Sequence, residues 1–400
     1  MQRSFVSKYR HVILLFLPLA YVSIGTMTSI YSDFIPYRDW IRLLLALIGS
    51  MSLFVNYNQI IKQPSRLFIV LFFLLSVILL SNTFNLLGSS NIIAHDVLDM
   101  GDSVLWIAIL FLAYRISLNH SNTLLHSSII GWVAPVFTYV FMNIRMYYLA
   151  NPDLDTAMRS TAYYALFLLP FVLLQKNNIS KWILTIIVFI SILLSVKRAG
   201  FVAFIGALLI YFYVYIKHSK HNFSKFQRFI GFIVFAYLIY LFSQFFIEQN
   251  DLSIIERLSA IEDDGGSGRD MIWAHTWKMI EDSPLQNLII GHGYNTVIRD
   301  SQLGFSAHTD TLEIIYDYGL LGTVLYLLFY VKLFSYYKKL IYIDISYAAS
   351  FAASLVLTFT LSMFAHLLIY PTHFLFVCMF WGFCIGECER QQYYAYGISR

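Results

Sequence analysis

The sequence predicts an all-α protein that crosses a membrane many times, with about 12 transmembrane helices. Three observations predict it. Hydrophobic residues make up 58% of the 400 positions and charged residues only 12%, about half the charge of an ordinary soluble domain. Apolar runs long enough to span a bilayer recur along most of the chain. The polar residues are gathered into one long stretch near residues 248–318. Lipid leaves the backbone no solvent partners, so spanning segments are helices or closed barrels, and runs of 16 to 25 residues mean helices.

The runs fall at 11–30, 40–56, 66–82, 102–117, 124–143, 160–175, 181–196, 199–216, 229–247, 319–336, 345–369 and 372–387. They divide the chain into nine N-terminal transmembrane helices (1–247), an outer loop (248–318), and three C-terminal helices with a tail (319–400). Lys and Arg give the orientation. With the N-terminus inside, seventeen fall on the inner side; outside the long loop, only six fall on the outer side. Inner loops carry this excess, so both termini are predicted to be cytoplasmic and the long loop to face out. A net charge of +4 gives no reason to expect a nucleic-acid partner.

Cys378, Cys384 and Cys388 sit in or just after the last apolar run, with no pairing or zinc-ligand spacing. "EDDGG" lacks the alternating acids of a calcium loop. No metal and no cofactor is therefore expected. Transporters predict charges buried mid-span and broken repeats. These spans are nearly free of charge, which leaves transport or flipping of a lipid-linked glycan as a remote alternative.

The loop carries the chemistry. "GRDMIWAHTWKMIEDSPL" reads as an amphipathic helix, with Trp273 and Trp277 four apart and placed to rest among headgroups. "GHGYN" puts His292 between Gly291 and Gly293 in a turn. In "FSAHTDTLEIIYDYGLLGT", Asp310 and Glu313 make a capping-box pattern that starts a helix near 310. His308 then precedes a helix N-terminus, whose positive end disfavours an imidazolium and leaves a proton acceptor. Gly319 and Gly322 share a helical face and permit close packing. A single histidine beside a span is more often an interfacial residue, and His366 and His373, at another outer span end, have the same default. The hairpin "SVKRAG" places Lys197 and Arg198 on the outer side, against the inside bias. They either snorkel to headgroups or hold a diphosphate, which suits a guanidinium's fork of donors. Arg269 opens the tryptophan helix.

These features resemble the O-antigen ligase/O-antigen polymerase superfamily. Its pattern is a histidine followed by Asn, Ser or Gln, nine residues, then G-x-x-G and often Thr. His308, Thr309, Gly319, Gly322 and Thr323 match that spacing, with Thr309 a departure at its position. "SVKRAG" is similar to the family's arginine hairpin, "GRDMIW" before Pro284-Leu285 to its G-R-x-x-x-W segment, and "GHGYN" to the glycine turn that follows. The resemblance covers about 195–330. It implies a lipid-linked-sugar (GT-C-like) glycosyltransferase architecture in the bacterial inner membrane, with a periplasmic active site that works without a metal. It implies an undecaprenyl-diphosphate-linked glycan as donor, Arg198 and Arg269 on the diphosphate with help from Lys197, and His308 as base. In a polymerase the acceptor is a second lipid-linked repeat unit, and a chain-length regulator is an expected partner; in a ligase the acceptor is lipid A core. The aromatic-rich, divergent first half is similar to polymerases.

Overall fold

The computed structural model describes residues 35–61, 66–88, 94–119, 162–195, 197–218, 237, 265–368 and 371–395. The described elements are helices: α1 (Ile35–Val55), α2 (Tyr57–Ile61), α3 (Leu67–Gly88), α4 (Ala94–Asn119), α5 (Ala162–Leu173), α6 (Asn178–Ser195), α7 (Arg198–His218), α8 (Gly265–Glu281), α9 (Leu285–Ile290), α10 (Thr296–Asp300), α11 (Asp310–Ile343), α12 (Ile345–Phe364) and α13 (Pro371–Ala395). No strand occurs among the described residues. The predicted spans at 11–30 and 124–143, that at 229–247 except residue 237, and both termini lie outside them. Each other predicted span coincides with a described helix. Five of these, at 67–87, 101–119, 198–218, 310–343 and 345–364, are long and apolar enough to cross a membrane. The protein is an all-α, multi-pass membrane protein.

The chain forms two compact units. The first takes 1–122, 265–336 and 362–400, and its centre is α4. From Val104 to Ala113 every residue of α4 is buried, as expected of a helix apolar on all sides. Small residues let its neighbours close in. A Cβ added at Gly382 of α13 would lie 2.4 Å from the Leu110 carbonyl oxygen, and one at Gly386 would lie 2.7 Å from that of Tyr114. These two glycines, four apart, make a small-residue seam at which backbones meet. Gly49 of α1 does the same against Ala108. Ser117 donates to the Phe383 carbonyl at 2.8 Å. Trp106 packs on Phe329 and Phe374, and Trp381 on Phe329.

Two charged groups buried in this unit have close partners. Arg42, 5% exposed, bonds Asp102 at 2.5 Å and Asp39 at 3.1 Å. Glu389 accepts from the hydroxyls of Tyr114 and Tyr336. Buried ions are retained only with such partners, because desolvation otherwise dominates.

The second unit takes 123–264 and 337–361. Its described helices interlock through ring pairs, Phe189 with Phe204 and Trp182 with Phe212, both stacked. Gly206 leaves room for Val356, and the hydroxyls of Tyr215 and Ser346 meet at 2.7 Å.

Candidate functional site

The loop of the first unit is built on two backbone segments laid against each other. Gly291 has φ +97 and Gly319 φ +66, conformations that only glycine adopts without strain. A Cβ on Gly291 would stand 2.2 Å from the Asp317 carbonyl oxygen, and one on Gly319 would stand 2.4 Å from that of Ile289. The contact is sealed by His292 N–H donating to the Tyr316 carbonyl at 3.0 Å and Gly293 N–H to that of Asp317 at 2.9 Å. Gly319 therefore interrupts α11 with a kink, and this corrects the shared helical face expected of the glycine pair, although Gly319 does permit a close backbone approach. Gly322 follows from the kink, since a Cβ there would meet the Tyr318 Cβ at 2.4 Å. Gly293, at φ +102, leaves space for Asn85.

Asp317 holds the next turn. Its carboxylate accepts from the N–H groups of Asn295 (2.8 Å) and Thr296 (3.1 Å) and from the Thr296 hydroxyl (2.8 Å). It thus caps α10, whose own N-cap residue, Asn295, makes no side-chain cap bond. The polar end of α3 receives this assembly. Asn82 accepts the Tyr294 N–H at 2.7 Å, and Ser81 donates to the Asp317 carbonyl at 2.7 Å.

His292 is fully engaged in this scaffold. Its ring stacks on Tyr316, centroids 4.1 Å apart and 9° from parallel. Nε2 lies 2.9 Å from the Ser283 hydroxyl, and Nδ1 lies 3.2 Å from the Asn287 amide. Burial lowers its pKa below the ordinary 6.5, nearby Arg299 adds to the lowering, and Asp300 partly opposes it.

His308 is held differently. It adopts φ +54, a left-handed conformation costing on the order of 1–3 kcal/mol for a side-chain-bearing residue. The surroundings impose it. The Trp273 indole donates to the Ala307 carbonyl at 2.9 Å. Glu313 accepts the Ala307 N–H at 2.6 Å, and the Thr309 hydroxyl donates to the Ser362 carbonyl at 3.3 Å. The imidazole, half-buried, stacks on that of His366 with centroids 4.8 Å apart.

The capping box takes another form. Glu313 reaches past the helix start to Ala307, and Asp310 turns to the N–H groups of Leu367 (2.8 Å) and Leu368 (3.2 Å). Tertiary donors outcompete the local pair because Asp310 is completely buried beside them. Trp273 likewise supports the His308 turn, whereas Trp277 is about half exposed and bonds Glu281.

Arg269 is half-buried on α8, one helical turn before Trp273. A spacing of four residues puts the two on one helix face, so Trp273 links the Arg269 face to the His308 turn. Lys197 and Arg198 belong to the second unit. The Lys197 carbonyl accepts the Phe201 N–H at 3.1 Å, which starts α7 at Arg198. Gly200, next in this hairpin, leaves room for Tyr163, whose ring would lie 3.2 Å from an added Cβ. Both cations are half-buried. Sequence reasoning left His366 with an interfacial default and did not weigh Ser306 or Asp317 at all. Their partners lie 60 and about 21 residues away, beyond the reach of any local pattern.

The described helices and the polar loop with a strained histidine near its end belong to a multi-pass membrane protein. Residues 183–327 match the family described as O-antigen ligase, a stretch that includes Lys197, Arg198, Arg269, His308, Gly319 and Gly322. The match supports the O-antigen ligase/polymerase superfamily and, with it, a function of that general type in O-antigen assembly. None of the curated proteins matches the chain.

Proposed function

We propose that the protein is a polysaccharide polymerase. It joins undecaprenyl-diphosphate-linked repeat units into O-antigen or a related surface polysaccharide at the periplasmic face of the inner membrane. The hydroxyl oxygen of the acceptor unit attacks the anomeric carbon of the donor glycan, and the bond from that carbon to the diphosphate oxygen breaks. His308 takes the hydroxyl proton, and undecaprenyl diphosphate leaves. Attack from the opposite face inverts the anomeric centre. The leaving group departs already charged, so the reading gives Arg198 and Arg269, assisted by Lys197, the task of stabilising it. The role of Arg198 and Lys197 rests on the sequence resemblance. The partners of the reading are the lipid-linked donor and acceptor, membrane lipid and a chain-length regulator.

The observation that carries the reading is the His308 turn. A left-handed backbone is maintained there by the side chains of Trp273 and Glu313 and by the Ser362 carbonyl, which accepts from Thr309. Strain of this kind accumulates where a group must be presented in one geometry.

A second reading takes up the ligase that the family description names: an enzyme that transfers the glycan to lipid A core. A gene deletion separates the two on a lipopolysaccharide gel. Loss of a polymerase leaves core bearing one repeat unit; loss of a ligase leaves bare core and glycan on its carrier. Complementation with His308→Ala tests the base. No ladder should return although the variant reaches the membrane, and a restored ladder removes His308 from the chemistry.

A further inference from the structure

We propose that His366 is a positioning residue for His308: its ring, fixed by Ser306, is the face against which the His308 imidazole is held while it takes up a proton. The proposal rests on the reading of His308 as the base. His366 lies outside residues 183–327, so the family match does not reach it. The two rings are 24° from parallel with centroids 4.8 Å apart. The Ser306 hydroxyl lies 3.1 Å from His366 Nδ1. The segment that carries His366 is tied to the His308 turn on both sides. Thr309 donates to the Ser362 carbonyl, and Asp310 accepts from Leu367 and Leu368. The His308 turn and the 362–368 segment are thus held together by these bonds.

Two physical effects follow. A side chain leaving a left-handed residue lacks the rotamer constraints of a helix, and a flat neighbour supplies them; orientation of the reacting group is a large part of catalysis. A neutral His366 also presents an aromatic face to the cation that His308 becomes, which is attractive. Ser306 can keep it neutral by donating to Nδ1, leaving the ring proton on Nε2. A protonated His366 would instead repel the developing charge.

The test uses full-length protein in vesicles, with the lipid-linked glycan pool extracted from host cells lacking the gene as substrate. His366→Ala should lower turnover about tenfold or more and leave KM for the pool unchanged within about twofold. His366→Phe, which keeps a flat ring, should recover most of the turnover. The proposal is overturned if His366→Phe is as slow as His366→Ala, or if the loss falls on KM. Gel filtration checks folding, and if His366→Ala does not fold, a slow His366→Phe overturns the proposal by itself. His308→Ala is run in parallel. If it turns over normally, the base reading has failed and this proposal with it. If it is inactive while His366→Ala is normal, only the positioning role has failed.

Discussion

Two histidine turns, at 292 and at 308, flank the polar loop, and each ring lies on an aromatic partner. At His292 both ring nitrogens meet polar side chains and the ring lies nearly flat on Tyr316. At His308 the bonds go to the backbone of the neighbouring residues, the residue itself is strained, and the ring rests on another imidazole. The first arrangement uses a histidine as a bolt between segments. The second fixes the chain around a histidine in a left-handed conformation. Backbone conformation, left-handed at 308 and not at 292, therefore distinguishes the two better than proximity to glycines, which both share.

The sharpest way to break the comparison is to separate the two segments on which it stands. Gly291→Ala or Gly319→Ala drives a Cβ to within 2.4 Å of a facing carbonyl oxygen, at positive φ. Each should cost about 2–4 kcal/mol, read as a lower thermal midpoint in detergent. Gly304→Ala, with φ +66 and nothing within 4 Å of the added Cβ, should cost only about 1 kcal/mol and serves as the comparison for strain without a clash.

Removing the Asp317 carboxylate comes next. Asp317→Ala strands the buried N–H of Thr296, while the Thr296 hydroxyl keeps the Gly293 carbonyl as acceptor, a loss of about 1–3 kcal/mol for an unmet buried group. Unfolding should shift accordingly, and hydrogen exchange at 295–297 should accelerate. Trp273→Phe removes a single bond to the Ala307 carbonyl, about 1 kcal/mol of stability. Its larger effect should be on turnover, because that bond holds the turn carrying His308.

The smallest effect is one of pH. Burial lowers the His292 pKa from 6.5, so the unfolded chain takes up a proton that the folded chain refuses. Stability from this group is complete above about 6.5 and falls as the pH drops through the lowered value. His292→Gln should flatten the decline in thermal midpoint between neutral and mildly acid pH; an unchanged slope would assign it to other groups.

Much of the fold was legible in the sequence, because hydropathy reports what lipid requires of a backbone. The helices at 67–88 and 198–218 lie where the apolar runs predict them. The loop yielded its motif by spacing, but not its physics. Gly319 and Gly322 have the spacing of a helical face, and only the backbone shows that Gly319 is a kink. Asp310 and Glu313 have the spacing of a capping box, yet both bond elsewhere because buried donors stood closer. The Gly382–Gly386 seam lies in plain view as "GFCIG", but a helical span offers many such pairs and only packing selects one.

We propose that His308 does chemistry while His292 holds structure. The most direct measurement is turnover per folded molecule for His308→Ala and His292→Ala, each beside its thermal midpoint. The account predicts that His308→Ala loses about 100-fold or more in turnover with its midpoint unchanged, and that His292→Ala unfolds at lower temperature yet turns over normally while folded. Normal turnover by His308→Ala would contradict it.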